Sequence, residues 1–394
     1  MEYQREKSYI FELLNNVLCD SSNKDFQYDI NELNWEYIYK LCSYHKIDNI
    51  IAYKVCSDPI STMISQNIVN KFKLSMQKAK AREAVQEIEY EQILQSFEEQ
   101  GIKNIPLKGS ILKYYYPSPD MRFMVDLDIL CQEEELEKAG EVLKKLGYKI
   151  EHQGGDHDVY SKLPYTVIEL HRTCYTYNEI LDKYFSKIWS RSQKREGKNF
   201  TYDMTWDDYY LFLIAHMIKH FSHGGIGVRS LLDLIIFKEK LEKNCNRLHI
   251  ESILKDAGIL KVEKKMNQLA QECFYGKGNS QTDELMNFIW ESGLQGTSNN
   301  SISVATVKKV GGKKKILKGQ WKLFLSYIFL EKKQMQKAYS YLKKYPLLLP
   351  IAWIHRGIYK LIFERKRVFN IIKKIFNRKN ANKIIEIRKK AGLD

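Results

Sequence analysis

The sequence lacks the features that mark several common classes of protein. Seven cysteines are scattered along 394 residues without C-x-x-C spacing, and their odd number argues against a disulfide framework and a structural zinc site. The N-terminus, Met1 to Glu6, has no apolar signal core. The longest apolar runs reach only about ten residues, short of the roughly 20 that span a bilayer. We therefore expect a cytoplasmic protein without a transmembrane segment.

Acidic residues are scarce in the last quarter of the chain. From Ser301 to Asp394 there are 25 Lys and Arg against four acids, a net charge of +21, whereas the first 300 residues hold 38 bases and 44 acids, a net charge of −6. Apolar residues make up 44% of the chain and are spread along it, so a disordered chain is excluded as the default. A surface for an anionic partner is therefore predicted within 301–394.

The pattern of apolar residues predicts helices on both sides of a small sheet. Apolar positions recur at helical spacing from about residue 5 to Gly101, where a helix would stop. Short apolar or alternating runs then predict four strands, with an amphipathic helix between the second and the third. The predicted strands are 104–107, 125–130, 158–163 and 166–171.

These patterns predict an α+β protein with a small mixed sheet and covering helices, flanked by helical N-terminal and C-terminal regions. From Trp206 onward the chain reads as helical again, with a glycine-rich loop at 222–227. The predicted parts are a helical N-terminal region at 1–100, a catalytic core at 101–205, a helical domain at 206–294, a polar linker at 295–319 and a basic helical C-terminal region at 320–394.

Three carboxylates stand out within the predicted sheet. Asp126 and Asp128 are two apart on a strand, so their side chains point to the same face. Glu169 lies on another strand, between apolar residues that face the other way. Carboxylates gathered on one face repel each other unless a cation neutralises them, and oxygen ligands suit hard divalent ions such as Mg²⁺. Two Mg²⁺ ions held there, or Mn²⁺, could clamp the oxygens of a phosphoryl displacement.

The same residues also have an ordinary structural interpretation, without a metal or a substrate. An Asp-x-Asp pair in a strand is usually a solvated face of a sheet, and a lone Gly-Ser is usually an ordinary turn. Here Gly109-Ser110 ends an apolar run upstream of the two aspartates, where backbone N–H groups and a hydroxyl could cradle phosphates. The ordered set of Gly-Ser, Asp-x-Asp and a later Glu in a strand favours catalysis.

These residues carry a resemblance to a known superfamily. The run Leu107-Lys108-Gly109-Ser110, followed by Arg122 and Asp126-Leu127-Asp128-Ile129-Leu130, resembles the core of the DNA polymerase β-like nucleotidyltransferases. More narrowly, it resembles a bacterial family usually labelled uncharacterised nucleotidyltransferase. Other positions that fit the family are Gly147-Tyr148, His157, Ile168-Glu169-Leu170-His171, His216, His220, Arg229 and Asp233.

The resemblance implies a role for each matching residue. Asp126 and Asp128 would bind metal and the triphosphate, and Glu169 would hold the catalytic metal and draw the proton from the acceptor. Gly109 and Ser110 would meet the β- and γ-phosphates. Lys108 and Arg122 would stabilise the departing pyrophosphate, with an ordinary surface charge as the alternative for both. The interval from Gly109 to Asp126 is longer than is usual in the superfamily.

Four further residues are candidates for lining the cleft, namely His171, His220, Arg229 and Asp233. His171 shares the face of Glu169 and could orient it or an acceptor; a core histidine with satisfied hydrogen bonds is the alternative. His216 and His220 lie four apart on a helix, where a buried pair is favoured over a metal site. His220, Arg229 and Asp233 could line the nucleotide or acceptor cleft.

The basic stretch within 301–394 leaves three interpretations open. Its clusters at 313–315, 365–367 and 388–390 could bind RNA phosphates, with Tyr339, Tyr341 and Trp353 available for stacking. The apolar run 345–354, flanked by cations, could instead lie on an anionic membrane surface. The third interpretation is a helical lid whose exposed face is simply basic.

The sequence thus predicts a nucleotidyltransferase. It would move a nucleoside monophosphate from an NTP such as ATP to an acceptor that the sequence does not identify, whether a small molecule, an RNA or a protein. The rival hypothesis is a non-catalytic protein that kept the fold and binds nucleic acid or a membrane surface. The three carboxylates favour the enzyme.

Overall fold

A computed structural model of the chain describes residues 3–19, 29–174, 176–276, 284–294, 296–308 and 316–393. The chain divides into two compact units. The first unit comprises Met1–Lys219 and Gly227–Leu294, and the second comprises His220–Ile226 and Gln295–Asp394. Among the helices of the described residues, none is long and apolar enough to cross a membrane.

Five helices precede the sheet. They are α1 (Gln4–Leu18), α2 (Trp35–His45), α3 (Asp48–Val55), α4 (Ile60–Met63) and α5 (Gln66–Glu99). The 34-residue helix α5 is held by one apolar side, on which Ile93 and Phe97 are fully buried. The chain leaves it through Gly101, whose φ of 68° lies in the left-handed region that glycine adopts without strain.

A five-stranded mixed sheet follows. Its strands are β1 (Asn104–Pro106), β2 (Leu127–Cys131), β3 (Lys149–His152), β4 (His157–Lys162) and β5 (Thr166–His171), in the order β1-β2-β5-β4-β3. The pair β2 and β5 is parallel, and the other neighbours are antiparallel. The predicted α+β class, with a mixed sheet between helical regions, is confirmed.

The core behind the sheet joins it to two helices. Helix α7 (Leu136–Lys145) follows β2, and the short α6 (Gly109–Leu112) follows β1. Buried side chains of α5, α7 and the inner strands form one cluster, which includes Phe97, Leu143, Ile129 and Leu170. Burial of these apolar side chains is the main force that stabilises the sheet. It thereby fixes the positions of β2 and β5, whose polar side chains project from the other face.

The rest of the first unit is mainly helical. After the sheet come α8 (Glu179–Phe185), α9 (Ile188–Arg191) and a two-stranded sheet of β6 (Gln193–Lys194) and β7 (Tyr202–Asp203). They are followed by α10 (Trp206–Phe221), α11 (Val228–Lys240), α12 (Arg247–Asp256), α13 (Leu260–Tyr275) and α14 (Glu284–Ser292). Helix α10 ends two residues into the second unit.

The second unit is helical in its described residues. Its helices are α15 (Ser298–Lys308), α16 (Ile316–Ile328), α17 (Lys332–Ala338), α18 (Leu349–Phe363), α19 (Arg365–Ile375) and α20 (Arg378–Ala391). Two small cores hold them, one around Ile302, Leu323 and Ile375 and one around Met335, Leu342 and Ala352.

The structure differs from three sequence predictions. The sheet has a fifth strand, β3 (Lys149–His152), where only four strands were predicted. The predicted linker 295–319 contains α15, because Ile302 and Val304 are buried and the buried hydroxyl of Thr306 donates to the Ile302 carbonyl of the same helix at 3.0 Å. Residues 309–315 lie outside the described residues. Strand β2 begins at Leu127, so Asp126 stands just before the strand that was predicted to contain it.

Candidate active site

Asp128 and Glu169 lie opposite each other on the two parallel strands. The register of β2 and β5 pairs the Cα atoms of these two residues, and it pairs Ile129 with Leu170 in the next position. Both apolar residues are fully buried in the core. Because side chains alternate along a strand, the two carboxylates project from the other face of the sheet.

Asp126 adds a third carboxylate just before β2. Burial, followed by the negative charges of Asp128 and Glu169, raises the pKa of Asp126 to about 6. Like charges disfavour the ionised form, so the charges of Asp128 and Glu169 add to the effect of burial on Asp126. The assignment of these three carboxylates to metal binding stays a prediction.

The side chains of Lys108 and His171 contact Asp128. Lys108 Nζ lies 2.8 Å from Asp128 Oδ1, and His171 Nε2 lies 2.7 Å from the same oxygen and 3.3 Å from Glu169 Oε2. Burial by itself raises the pKa of Asp128, but Lys108 and His171 outweigh it and hold the pKa well below its ordinary value. Asp128 is therefore ionised throughout the physiological pH range.

Lys108 and Gly109 form a tight turn between β1 and α6. Lys108 has a φ of 49°, which is unusual for a residue with a Cβ, and its carbonyl accepts a hydrogen bond from the Tyr209 hydroxyl at 2.6 Å. A Cβ on Gly109 would lie 1.9 Å from an Arg122 guanidinium nitrogen and 2.7 Å from Met124 Sδ. The close approach of these side chains requires glycine at position 109.

Ser110 is held inside the same turn. It is 2% exposed, its hydroxyl donates to the Leu107 carbonyl at 2.8 Å, and it accepts from the Tyr90 hydroxyl at 3.1 Å. It also lines a cleft of about 600 Å³, together with Tyr115 and Trp206 among others. The role of Ser110 toward phosphates stays a prediction.

Arg122 and Asp233 form a buried ion pair. Arg122 donates from Nε at 3.0 Å and from a terminal nitrogen at 2.8 Å, one to each oxygen of Asp233. The Tyr116 hydroxyl donates to Asp233 Oδ1 at 2.7 Å. The sequence analysis assigned Arg122 to the pyrophosphate and Asp233 to the lining of the cleft. In the structure these two residues bind each other. A buried guanidinium requires such a partner, which sequence spacing cannot reveal.

Arg229 lies near the carboxylates at the start of α11. One of its guanidinium nitrogens donates to the Phe123 carbonyl. Burial, together with repulsion from Arg122, lowers the pKa of Arg229, whereas Asp233 and Asp126 act in the opposite direction. Its predicted place in the cleft wall is consistent with this electrostatic proximity to Asp126.

His157 belongs to the site, although it was not among the candidate site residues. Its Cα pairs with that of His171 across β4 and β5, and its Nε2 lies 3.7 Å from Glu169 Oε1. Ligand atoms of His157, Glu169 and His171 all lie within 4.8 Å of one another. The next residue, Asp158, points to the opposite side, where it accepts from Arg172 at 2.7 Å. Alternation along β4 was the signal that could have found His157.

Helix α10 contributes Lys219 and the two predicted histidines. Burial lowers the pKa of Lys219, and the charges of Asp156, Lys108 and Glu169 act on it to a smaller extent. The ring of His216 lies 6.4 Å from that of Phe212, and His220 belongs to the second unit. Within the described residues, the one group of three potential metal ligands does not include these two histidines.

The residues of this site lie within a region that matches a known protein family. A model of the family described as uncharacterised nucleotidyltransferase matches residues 31–275, which is more than half of the chain. The chain belongs to this family. The match spans every candidate from Lys108 to Asp233, and it supports assignment to the nucleotidyltransferase class of enzymes. No match was found among curated proteins or among solved structures.

Proposed function

We propose that this nucleotidyltransferase moves a nucleoside monophosphate from an NTP to an acceptor, with Mg²⁺ or Mn²⁺ and with release of pyrophosphate. The observation that carries the proposal is the pairing of Asp128 with Glu169 across two parallel strands, with Asp126 beside them. Family membership supplies the reaction class. The donor, the metal and the acceptor are the proposed parts.

The residues present fit a divalent ion. Asp126, Asp128 and Glu169 would hold it through oxygen, and His157 and His171 lie where they could add nitrogen ligands. Carboxylates alone suit Mg²⁺, whereas imidazole nitrogens favour Mn²⁺ and other transition metals. When bound, the ion would act as a Lewis acid on the phosphate oxygens.

The contact of Lys108 with Asp128 supports a role for this lysine toward phosphate. Its ammonium group sits on Asp128, within reach of the position where phosphates would meet the carboxylates. A phosphate oxygen can compete with the carboxylate for this cation, because both are anions that accept charge-assisted hydrogen bonds. We therefore propose that Lys108 neutralises charge on the leaving pyrophosphate.

Glu169 is the proposed acceptor of the proton. The acceptor oxygen would form a bond to the α-phosphorus as the bond from that phosphorus to the pyrophosphate oxygen breaks. The hydroxyl proton would pass to the Glu169 carboxylate, and pyrophosphate would leave with the electron pair of the broken bond. His171, 3.3 Å from Glu169 Oε2, orients this carboxylate.

The acceptor is a hydroxyl or phosphate of a small molecule, an RNA or a protein, and the geometry does not choose among them. A cytoplasmic location, where NTPs are abundant, remains part of the proposal. The seven cysteines, all free thiols, are compatible with a reducing compartment.

Calorimetric titration of ATP, GTP, CTP and UTP tests the proposal. Each nucleotide is added to the full chain with Mg²⁺, with Mn²⁺ and with EDTA. Binding of at least one nucleotide is expected only with metal. Asp128→Asn should lose this binding, because the variant removes a negative metal ligand and leaves Lys108 without its partner.

The matched control is Asp256→Asn, which removes the same charge from an exposed position at the end of α12. It should bind nucleotide as the wild type does. If no nucleotide binds to the folded wild type under any of these conditions, the rival hypothesis of a non-catalytic binding protein replaces the enzyme.

A further inference from the structure

Exposed large apolar side chains are concentrated in one part of the second unit. Of 29 such side chains among the described residues, 18 lie between Leu317 and Phe369, although this stretch is a small part of the chain. A soluble protein usually scatters such residues singly, and a dense group marks an interaction surface. The concentration of exposed apolar side chains in this stretch therefore indicates a surface that binds a partner.

Helix α18 presents the clearest part of this surface. One side of the helix is anchored, because Ala352 is fully buried and Trp353 Nε1 donates to the Leu330 carbonyl at 3.0 Å. Ile351, Ile354 and Ile358 follow at spacings of three and four residues, so they share another side. Their exposed fractions are 61%, 64% and 55%. The anchored helix thus holds an apolar stripe toward solvent.

The stripe continues beyond both ends of the helical repeat. Leu347 is 93% exposed just before α18, and Phe363 is 70% exposed at its end. Leu361 and Ile362 lie a further turn along from Ile358 and are more than half exposed. We call these side chains, from Leu347 to Phe363, the apolar ridge. Six of these seven side chains are aliphatic and one, Phe363, is aromatic. Recognition of single-stranded RNA relies on aromatic side chains that stack on the bases, so a mainly aliphatic surface suits acyl chains better than bases.

The ridge is embedded in positive charge. Residues 317–379 hold 16 Lys and Arg against two acids, Glu331 and Glu364. Glu364 is already paired with Lys360 and Arg367. Lys343 and Lys344 stand exposed before the ridge, and Arg365, Lys366 and Arg367 stand exposed after it.

We propose that the apolar ridge binds the surface of a bilayer that contains anionic lipid. Aliphatic side chains with cations at both ends match the boundary between acyl chains and anionic headgroups. The helix would lie in this boundary rather than cross the bilayer, in keeping with its 15 residues. The proposal is independent of nucleotidyl transfer, since the ridge shares no residue with the carboxylate site.

Vesicle co-sedimentation of the full chain tests this surface. The vesicles are phosphatidylcholine alone, or phosphatidylcholine mixed with phosphatidylglycerol. The test variant is the double substitution Ile354→Asp and Ile358→Asp, and both positions are exposed, so folding should survive. The matched control is Ile88→Asp with Leu248→Asp, two exposed apolar residues of the first unit that are 69% and 83% exposed.

The wild type should bind the anionic vesicles and release them as salt rises, with little binding to phosphatidylcholine alone. The test variant should lose binding by about tenfold or more, because two exposed isoleucines that would insert into the bilayer become charges. The control should bind as the wild type does. Nucleotide affinity should be equal in all three, which separates this test from that of the catalytic site.

Two other outcomes would overturn the proposal. If vesicles do not bind but RNA does, with equal affinity for wild type and test variant, the basic residues serve nucleic acid. If vesicles do not bind and the wild type is a dimer that the test variant dissociates, the ridge is an interface between two copies. Near-UV circular dichroism confirms that each variant is folded before any of these measurements.

Discussion

The ammonium group of Lys108 lies 2.8 Å from Oδ1 of Asp128. The residue expected to meet pyrophosphate is therefore bound to a residue expected to meet metal. If a divalent ion binds Asp128 as proposed, Lys108 and the ion would compete for the same carboxylate oxygen. A phosphate group arriving with the ion would provide Lys108 with a new partner.

Lys108→Met should move two affinities in opposite directions. Removing the competing cation should tighten Mn²⁺ binding in the absence of nucleotide by several-fold. It should weaken binding of the metal–NTP complex by about tenfold, because a charge-assisted contact is lost. Electron paramagnetic resonance of free Mn²⁺ measures the affinity for the metal, and calorimetry measures the affinity for the metal–NTP complex. Lys144→Met, at an exposed pair with Glu141, is the control. A change of both affinities in the same direction would contradict the competition.

Asp126→Asn should stabilise the metal-free protein at neutral pH. The folded-state pKa of about 6 is above the ordinary value of 3.8, so the folded state holds the proton more tightly. The wild type should therefore lose stability as pH rises from about 4 to 6, and the loss is complete above that range. At pH 7.5 the variant should be more stable by about 1–3 kcal/mol, and at pH 3.5 it should equal the wild type.

Urea unfolding in EDTA at both pH values measures this difference. Mg²⁺ should reduce it, because the ion stabilises the folded wild type by binding to it. A variant that is less stable than the wild type at pH 7.5 would show that Asp126 supports the fold rather than straining it.

Asp233→Asn should destabilise the protein by about 3–5 kcal/mol, because it leaves the buried guanidinium of Arg122 without its anion. Replacing both partners, by Arg122→Met with Asp233→Leu, should recover part of this loss, since no uncompensated charge remains. Glu141→Gln at an exposed pair should change stability by less than about 1 kcal/mol. Urea midpoints compare the four proteins. A double variant less stable than Asp233→Asn would contradict this account of the pair.

His157→Gln should change the choice of metal. If His157 contributes nitrogen to the ion beside Glu169, affinity for Co²⁺ and Mn²⁺ should fall about 10- to 100-fold. Affinity for Mg²⁺ should change little, because Mg²⁺ prefers oxygen. The visible absorption of Co²⁺ reports the ligand change directly. His152→Gln, on the exposed strand β3, is the control. Equal losses for Mg²⁺ and Co²⁺ would place His157 outside the ligand set.

The parts of this fold that the sequence predicted are those determined by local pattern. Strand β5 begins and ends where predicted, since alternation and the turn at Pro164 both act within a few residues. The common face of Glu169 and His171 followed from the period of a strand, whereas the position of Asp128 opposite Glu169 depends on the pairing of β2 with β5. The family match covers the motif that begins at Leu107 and agrees with the family that this motif indicated.

The parts that escaped prediction depend on contacts between distant residues. Arg122 and Asp233 are 111 positions apart, and only the packed structure brings them together. Lys108 has no sequence signal that distinguishes a carboxylate partner from a phosphate. Helix α15 was missed because its buried polar residues, such as Ser303 and Thr306, resemble those of a linker.

The crowding at Gly109 links the turn formed by Lys108 and Gly109 to helix α11, which is distant in sequence. Arg122 occupies the space where a side chain at position 109 would stand, and Arg122 is itself fixed to Asp233 on α11. Loosening of α11 would release Arg122 and let the turn relax. Affinity for the proposed nucleotide donor should then decline on warming before the whole protein unfolds. The local stability of α11 would therefore set the upper temperature limit of activity.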